Sequence, residues 1–247
     1  MGARADNTIV VIPAYNEART IGRIVCDVVK MGFNVLVMDD GSTDNTEREA
    51  LDNGAMVVRN KRNLGKGITI REGSRHVFEK MNYEWMIIMD GDGQHHPEDM
   101  PLFIKASQQD GVEIILGNRM KYAKNMPSVR YWTNKFTSWM VSGLCGQDIP
   151  DSQCGYRLIK LDALKKMELM TNRYDIESEI IIEAARNHLR MASVPIETIY
   201  GDEVSEIKPV RDTFKFFNLV FRHYFGKNGL RGTKKKNGGG AAYPKGD

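Results

Sequence analysis

The sequence predicts an α/β protein, a mostly parallel sheet with helices packed on both faces. Three observations carry that expectation. Short β-branched runs alternate with longer amphipathic runs of helical spacing through the first half of the chain. Polar clusters follow the strand-like runs, and such a sheet gathers them along its carboxyl edge. The apolar runs, such as 9–12 and 86–89, are strand-sized and fall short of the ~18–20 residues of a membrane span.

The elements follow in order. Residues 8–12 form a β-branched first strand. Ile21, Ile24, Val25, Val28 and Val29 then recur at helical spacing, predicting a helix over 17–31 with Asn16 as N-cap and Gly32 as its stop. Residues 34–38 make the second strand and 43–53 a short helix that ends at Gly54. A third strand over 55–59 precedes a helix over 67–80, and a fourth over 84–89 precedes a helix over 97–109 with Pro97 in its first turn. Residues 113–116 read as the fifth strand. The second half is less regular, with strands over 155–160 and 192–199 and a helix over 175–188 between them. Two further helical stretches, 128–144 and 209–225, carry dense aromatic faces.

A chain of 247 residues is long enough for one large domain. Its net charge of +3 is unevenly placed: residues 227–247 hold six cations and one carboxylate, leaving −2 on the rest. The body is therefore no nucleic-acid binder by charge. The tail, with Lys234-Lys235-Lys236 followed by a Gly run, reads as low-complexity and disordered. Cys26, Cys145 and Cys154 form neither a CxxC pair nor an even set, which fits a reducing compartment.

The polar residues concentrate just past the strand ends. They are Pro13-Ala14-Tyr15-Asn16-Glu17, Asp39-Asp40-Gly41-Ser42, Asp90-Gly91-Asp92-Gly93-Gln94 and Gly117-Asn118-Arg119. Singly, each is ordinary turn chemistry. Four on one sheet edge describe a crevice. Asp90 and Asp92, one residue apart, can share a divalent cation, and Gln94 can add a neutral oxygen. Hard oxygen ligands suit Mg²⁺ or Mn²⁺ bound together with a phosphate-bearing ligand. His95 and His96 lack the Cys or third His of a zinc site. No GxxxxGK[ST] or GxGxxG is present, so ATPase and dinucleotide-dehydrogenase readings lose their usual support.

Val10-Val11-Ile12-Pro13-Ala14-Tyr15-Asn16-Glu17, Met38-Asp39-Asp40-Gly41-Ser42-Thr43-Asp44, Asn63-Leu64-Gly65-Lys66-Gly67 and Met89-Asp90-Gly91-Asp92-Gly93-Gln94 together resemble family 2 glycosyltransferases. Asp151-Ser152-Gln153-Cys154-Gly155-Tyr156-Arg157 and Tyr174-Asp175-Ile176-Glu177 look like the dolichol-phosphate mannosyltransferase-like subgroup. The resemblance implies the GT-A fold, a Rossmann-like sheet flanked by helices with amphipathic interface helices, in one catalytic domain over 1–226. It implies inverting, metal-dependent transfer of a hexose from a nucleotide sugar of the GDP-mannose, UDP-glucose or UDP-GlcNAc type to a polyprenyl phosphate. The alternative is a family 2 transferase with a glycan or protein acceptor.

Mapped residue by residue, Pro13, Ala14, Tyr15 and Glu17 would hold base and ribose, with Asp40 against the base. Lys66, Gly67, Asp90 and Gly91 would line the donor site. Asp90, Asp92 and Gln94 would hold Mg²⁺ or Mn²⁺. Asp92 and Arg119 would serve catalysis, and Arg119, Arg130 and Asn134 the acceptor phosphate. The subgroup's Ser-Lys pair before the last helix is altered: Glu206 stands where Lys is common, and Lys208 is the substitute donor-phosphate contact.

On a helical wheel of 128–144, Val129, Trp132, Phe136, Trp139, Met140 and Leu144 share one face, opposite Arg130, Asn134, Thr137 and Ser138. Over 209–225, Phe214, Phe216, Phe217, Phe221 and Phe225 lie beside Arg211, Lys215 and Arg222. Both suit helices lying at a bilayer interface. The expectation is a peripheral enzyme on the cytoplasmic face of a membrane.

Overall fold

The computed structural model describes residues 2–171 and 176–198. The helix expected over 209–225, Glu206, Lys208 and the tail over 227–247 lie outside the described residues.

Among the described residues seven strands form one sheet: β1 (Thr8–Ala14), β2 (Asn34–Asp39), β3 (Met56–Arg59), β4 (Trp85–Ile88), β5 (Val112–Asn118), β6 (Arg157–Lys160) and β7 (Arg190–Pro195). Their spatial order is β3-β2-β1-β4-β6-β5-β7. All pairings are parallel except those of β6, which runs antiparallel to both β4 and β5. The reversal has a simple cause. The chain leaves β5 at the carboxyl edge, makes a long excursion, and re-enters the sheet from that same edge at Arg157, opposite Ile88 and Leu116.

The helices are α1 (Ile21–Lys30), α2 (Thr46–Asp52), α3 (Lys66–Lys80), α4 (Met100–Ala106), α5 (Ser128–Cys145), α6 (Leu161–Leu164) and α7 (Ile176–Arg186). Alternate residues of β1 feed two cores. Val10 and Ile12 pack with Ile21, Ile24, Val25 and Val28 of α1 and Phe103 of α4. Ile9 and Val11 pack with Ile70 and Val77 of α3 and Ile180 and Ile181 of α7. Each such side chain, fully buried, contributes about 1.5–3 kcal/mol.

Several boundaries differ from the sequence expectation. The first helix begins at Ile21, not at 17, and Asn16 does not cap it. Asn16 adopts a left-handed φ of 58°, and its Oδ1 accepts from the Thr43 amide at 2.8 Å. The Glu17 and Ala18 amides donate to Thr46 and Asp44, so residues 16–18 tie two post-strand loops together instead of opening a helix. The helix expected over 97–109 divides into a 3₁₀ turn, Pro97–Asp99, and α4, which has Pro101 near its start. The strand expected over 192–199 is shifted to Arg190–Pro195.

Helix α5 is amphipathic in an unusual sense. Asn134, Thr137, Ser138 and Val141 are its buried residues. Val129, Trp132, Phe136 and Trp139 are 64, 64, 47 and 70 % exposed. A core helix has the opposite arrangement.

Candidate active site

The loops after β1, β2 and β4 and the first turn of α3 enclose a cavity of about 630 Å³ at the carboxyl edge of the sheet. Pro13, Ala14, Tyr15, Glu17, Asp40, Lys66, Asp90, Gly91 and Asp92 all line it, as the sequence reading expects. Gly67 lies one residue inside α3 and is buried, off the wall of the cavity. Gln94, Arg119, Arg130 and Asn134 are not among the lining residues either.

Two carboxylates that follow β2 shape one end of the cavity. Asp39 Oδ1 accepts from the Ser42 amide at 2.8 Å and its Oδ2 lies 3.3 Å from Arg59 Nε. Asp40 Oδ1 accepts from Asn60 Nδ2 and the Leu64 amide, both at 2.9 Å, and Oδ2 from the Gly65 amide at 2.8 Å. Asp40 thus holds the 60–65 loop against the cavity. Gly41 is obligatory: its φ is +75°, and a Cβ there would lie 2.6 Å from the Arg62 backbone. Gly65, at φ 98°, turns the chain into α3, so the positive end of that helix opens beside Lys66.

The Lys66–Asp90 end of the cavity is built on charge. Lys66 Nζ lies 2.7 Å from Asp90 Oδ1 and 2.5 Å from Glu177 Oε1. Burial alone would lower the pKa of that amine, but the two carboxylates outweigh it and raise it. Burial likewise opposes ionisation of Asp90, and Lys66 overcomes it and holds the carboxyl below its usual range. His95 is buried beside them, with Nε2 3.9 Å from Asp90 Oδ2 and the ring tilted against Tyr156. Burial pushes its pKa down to about 4, so the ring is neutral. Gly155 abuts Asp90: a Cβ there would fall 2.6 Å from Oδ2.

The donor set fits a hard divalent ion. Asp90 and Asp92 present anionic oxygens to one cavity, and Asp92 is oriented by the Gln94 amide, which donates to Oδ1 at 2.9 Å. Among the described residues no group of three or more His, Cys, Asp or Glu could hold a metal by itself. An ion here would complete its shell with ligand and water oxygens, as Mg²⁺ does with nucleotide phosphates.

Beyond the cavity, Asp151 organises the residues expected at the acceptor phosphate. It accepts from Arg119 Nε at 2.8 Å, Arg119 Nη2 at 3.0 Å and Asn134 Nδ2 at 2.8 Å. Arg119 keeps Asp151 ionised against the cost of burial. Ser138 Oγ, on the same face of α5, donates to Asn134 Oδ1 and accepts from the Ser152 amide. Arg130 lies one turn earlier on α5 and is half-buried. Asp151 and Glu177 belong to the two later motifs, and that membership is the one sequence signal for their place in the site. Buried Arg157 joins the two motifs, with Nε donating to Cys154 O, Nη2 to Ser152 O and Nη1 to Glu177 O.

The sequence pattern of "Glycosyl transferase family 2" matches residues 9–167, well over half of the chain. The chain belongs to glycosyltransferase family 2. This glycosyltransferase is 35% identical over 230 residues to an uncharacterized protein of Methanocaldococcus jannaschii, covering 89% of the one chain and 93% of the other. It is 32% identical to the UDP-N-acetylglucosamine–dolichyl-phosphate N-acetylglucosaminyltransferase of Methanococcus voltae, covering 90% and 98%. Among solved structures it resembles glucosyl-3-phosphoglycerate synthase from Mycobacterium tuberculosis in complex with Mn²⁺, UDP and phosphoglyceric acid. The TM-score there is 0.68 at 16% identity, covering 87% and 77% of the two chains. At that identity the likeness speaks for the fold, and the transferase has the GT-A α/β architecture.

Proposed function

We propose that this transferase moves a hexose, with inversion, from a nucleoside-diphosphate sugar to a polyprenyl phosphate at the cytoplasmic face of a membrane. The observation that carries the acceptor is the reversed amphipathicity of α5. Its buried face supplies Asn134 to the Asp151–Arg119 cluster, while Trp132, Phe136 and Trp139 face outward. One helix thereby offers an apolar surface to lipid and a polar surface to the phosphate it carries. The relative that acts on dolichyl phosphate supports this reading. Among the described residues no helix is long and apolar enough to cross a membrane.

The residues divide the work. Tyr15, Glu17 and Asp40 hold the nucleoside, and Lys66 at the start of α3 meets the diphosphate. A Mg²⁺ or Mn²⁺ held by Asp90 and Asp92, with Gln94 beside them, would stabilise charge on the leaving nucleoside diphosphate. Arg119, fixed by Asp151, and Arg130 orient the acceptor phosphate, whose oxygen forms the bond to the anomeric carbon as the bond to the diphosphate breaks. A phosphate is already anionic at neutral pH, so no side chain need remove a proton.

The test is transfer from labelled UDP-GlcNAc, UDP-glucose and GDP-mannose to dolichyl or undecaprenyl phosphate, in parallel with soluble glycan and peptide acceptors. Label moving to the organic phase with one donor is the expected result. Label found only on soluble acceptors would overturn it.

A further inference from the structure

One ammonium serves two carboxylates at the charged end of the cavity. Lys66 lies between Asp90 on the loop after β4 and Glu177 in the first turn of α7. Glu177 is buried, and its second oxygen, Oε2, has no hydrogen-bond partner among the described residues. A buried carboxylate oxygen without a partner is costly, and it favours any shift that draws a cation closer. Among the described residues the neighbouring charges do not fill that place. Arg119 is forked on Asp151, and Arg157 spends its Nη1 on the backbone carbonyl of Glu177, not on the carboxylate. That bond also fixes where the Glu177 side chain starts.

We propose that Lys66 occupies the cation position beside Asp90, and that Glu177 takes it over when a divalent ion claims Asp90. This rests on the reading of Asp90 and Asp92 as the metal carboxylates. An ammonium 2.7 Å from Asp90 and a divalent ion on the same carboxylate repel each other strongly in a weakly screened pocket. Asp90 therefore cannot serve both at full strength. An incoming ion must loosen Lys66, and the spare oxygen of Glu177 receives it. The diphosphate of the donor then neutralises ion and ammonium together, so metal and donor each favour the binding of the other. Glu177 is a positioning residue in this scheme, acting on the metal position through Lys66.

The test is Mn²⁺ binding to the whole protein, read by electron paramagnetic resonance with and without UDP. Without UDP, Lys66→Met should bind Mn²⁺ about tenfold more tightly than wild type, because Asp90 loses its competing cation. Glu177→Gln should bind it several-fold more weakly, because Lys66 is left with Asp90 alone. A merely structural role would weaken binding in both variants, so the opposite signs are the signature. Lys66→Met leaves two buried carboxylates and could unfold; the charge-balanced Lys66→Met/Glu177→Gln variant also frees Asp90 and should still exceed wild type. Mn²⁺ affinity no higher than wild type in both variants lacking Lys66 would overturn the exchange. Wild type that binds no Mn²⁺ even with UDP would instead overturn the metal reading itself.

Discussion

Asp151 holds the guanidinium of Arg119 in a two-pronged contact, Nε to Oδ2 at 2.8 Å and Nη2 to Oδ1 at 3.0 Å, with both side chains almost wholly buried. The pair stands where the chain leaves β5 and where the excursion towards β6 returns. A fixed fork of this kind sets the plane and direction of the remaining N–H groups, which is what recognition of a phosphate requires.

Asp151→Asn should therefore weaken acceptor use far more than donor use. The amide cannot accept on both prongs, so Arg119 and Asn134 lose their shared anchor. Polyprenyl-phosphate KM should rise by about tenfold or more, with the nucleotide-sugar KM little changed. Breaking a buried pair from one side also costs about 3–5 kcal/mol, measurable in urea melts. An unchanged acceptor KM would remove Asp151 from this role.

Asp92→Ala should abolish most transfer while leaving the urea midpoint close to wild type. Asp92 lies on a loop and its side chain is only partly buried, so it carries little of the core. Excess EDTA should have the same effect on the wild type, reversed by Mn²⁺ or Mg²⁺. Full activity in EDTA would rule out the metal.

Replacing Trp132 and Trp139 by Glu should release the protein from anionic vesicles in a flotation assay. Both indoles are exposed, at 64 and 70 %, and nothing in the folded core depends on them. Basic residues near an anionic leaflet add about 1 kcal/mol each, screened by salt. Wild-type binding should thus weaken but survive in high salt. A wild type that stays in solution at low salt contradicts the interfacial placement.

Stability should fall as pH drops from 6.5 towards 4, and His95 should account for a visible part of the slope. Burial holds its folded pKa at about 4, below the ordinary 6.5 of a solvated imidazole, so in that window the unfolded chain binds the extra proton. By pH 4 the loss from this group approaches about 3 kcal/mol. His95→Gln should flatten the profile across that window in urea melts at successive pH values. Parallel slopes for wild type and variant would show that other groups set it.

The sequence by itself determined the alternating first half, because strand and helix periodicities are local properties of the chain. It also determined that 13–17, 39–42 and 90–94 share one site, since parallel crossovers deliver every post-strand loop to the same edge. Helix starts were less legible. Asn16 looks like a cap in isolation, yet its side chain is committed to Thr43 on the neighbouring loop. Only the tertiary structure decided the rest. Strand β6 runs backwards because of where the excursion after β5 ends, and that reversal brings Gly155 against Asp90 and Arg157 against Glu177. A wheel separates the two faces of α5 but cannot say which one is buried; the fixed partners Asp151 and Ser152 do. Lys66 and Glu177 meet from more than a hundred residues apart, and no local pattern encodes such a contact. Direction, facing and charge pairing depend on which distant surfaces are brought together, and folding alone brings them there.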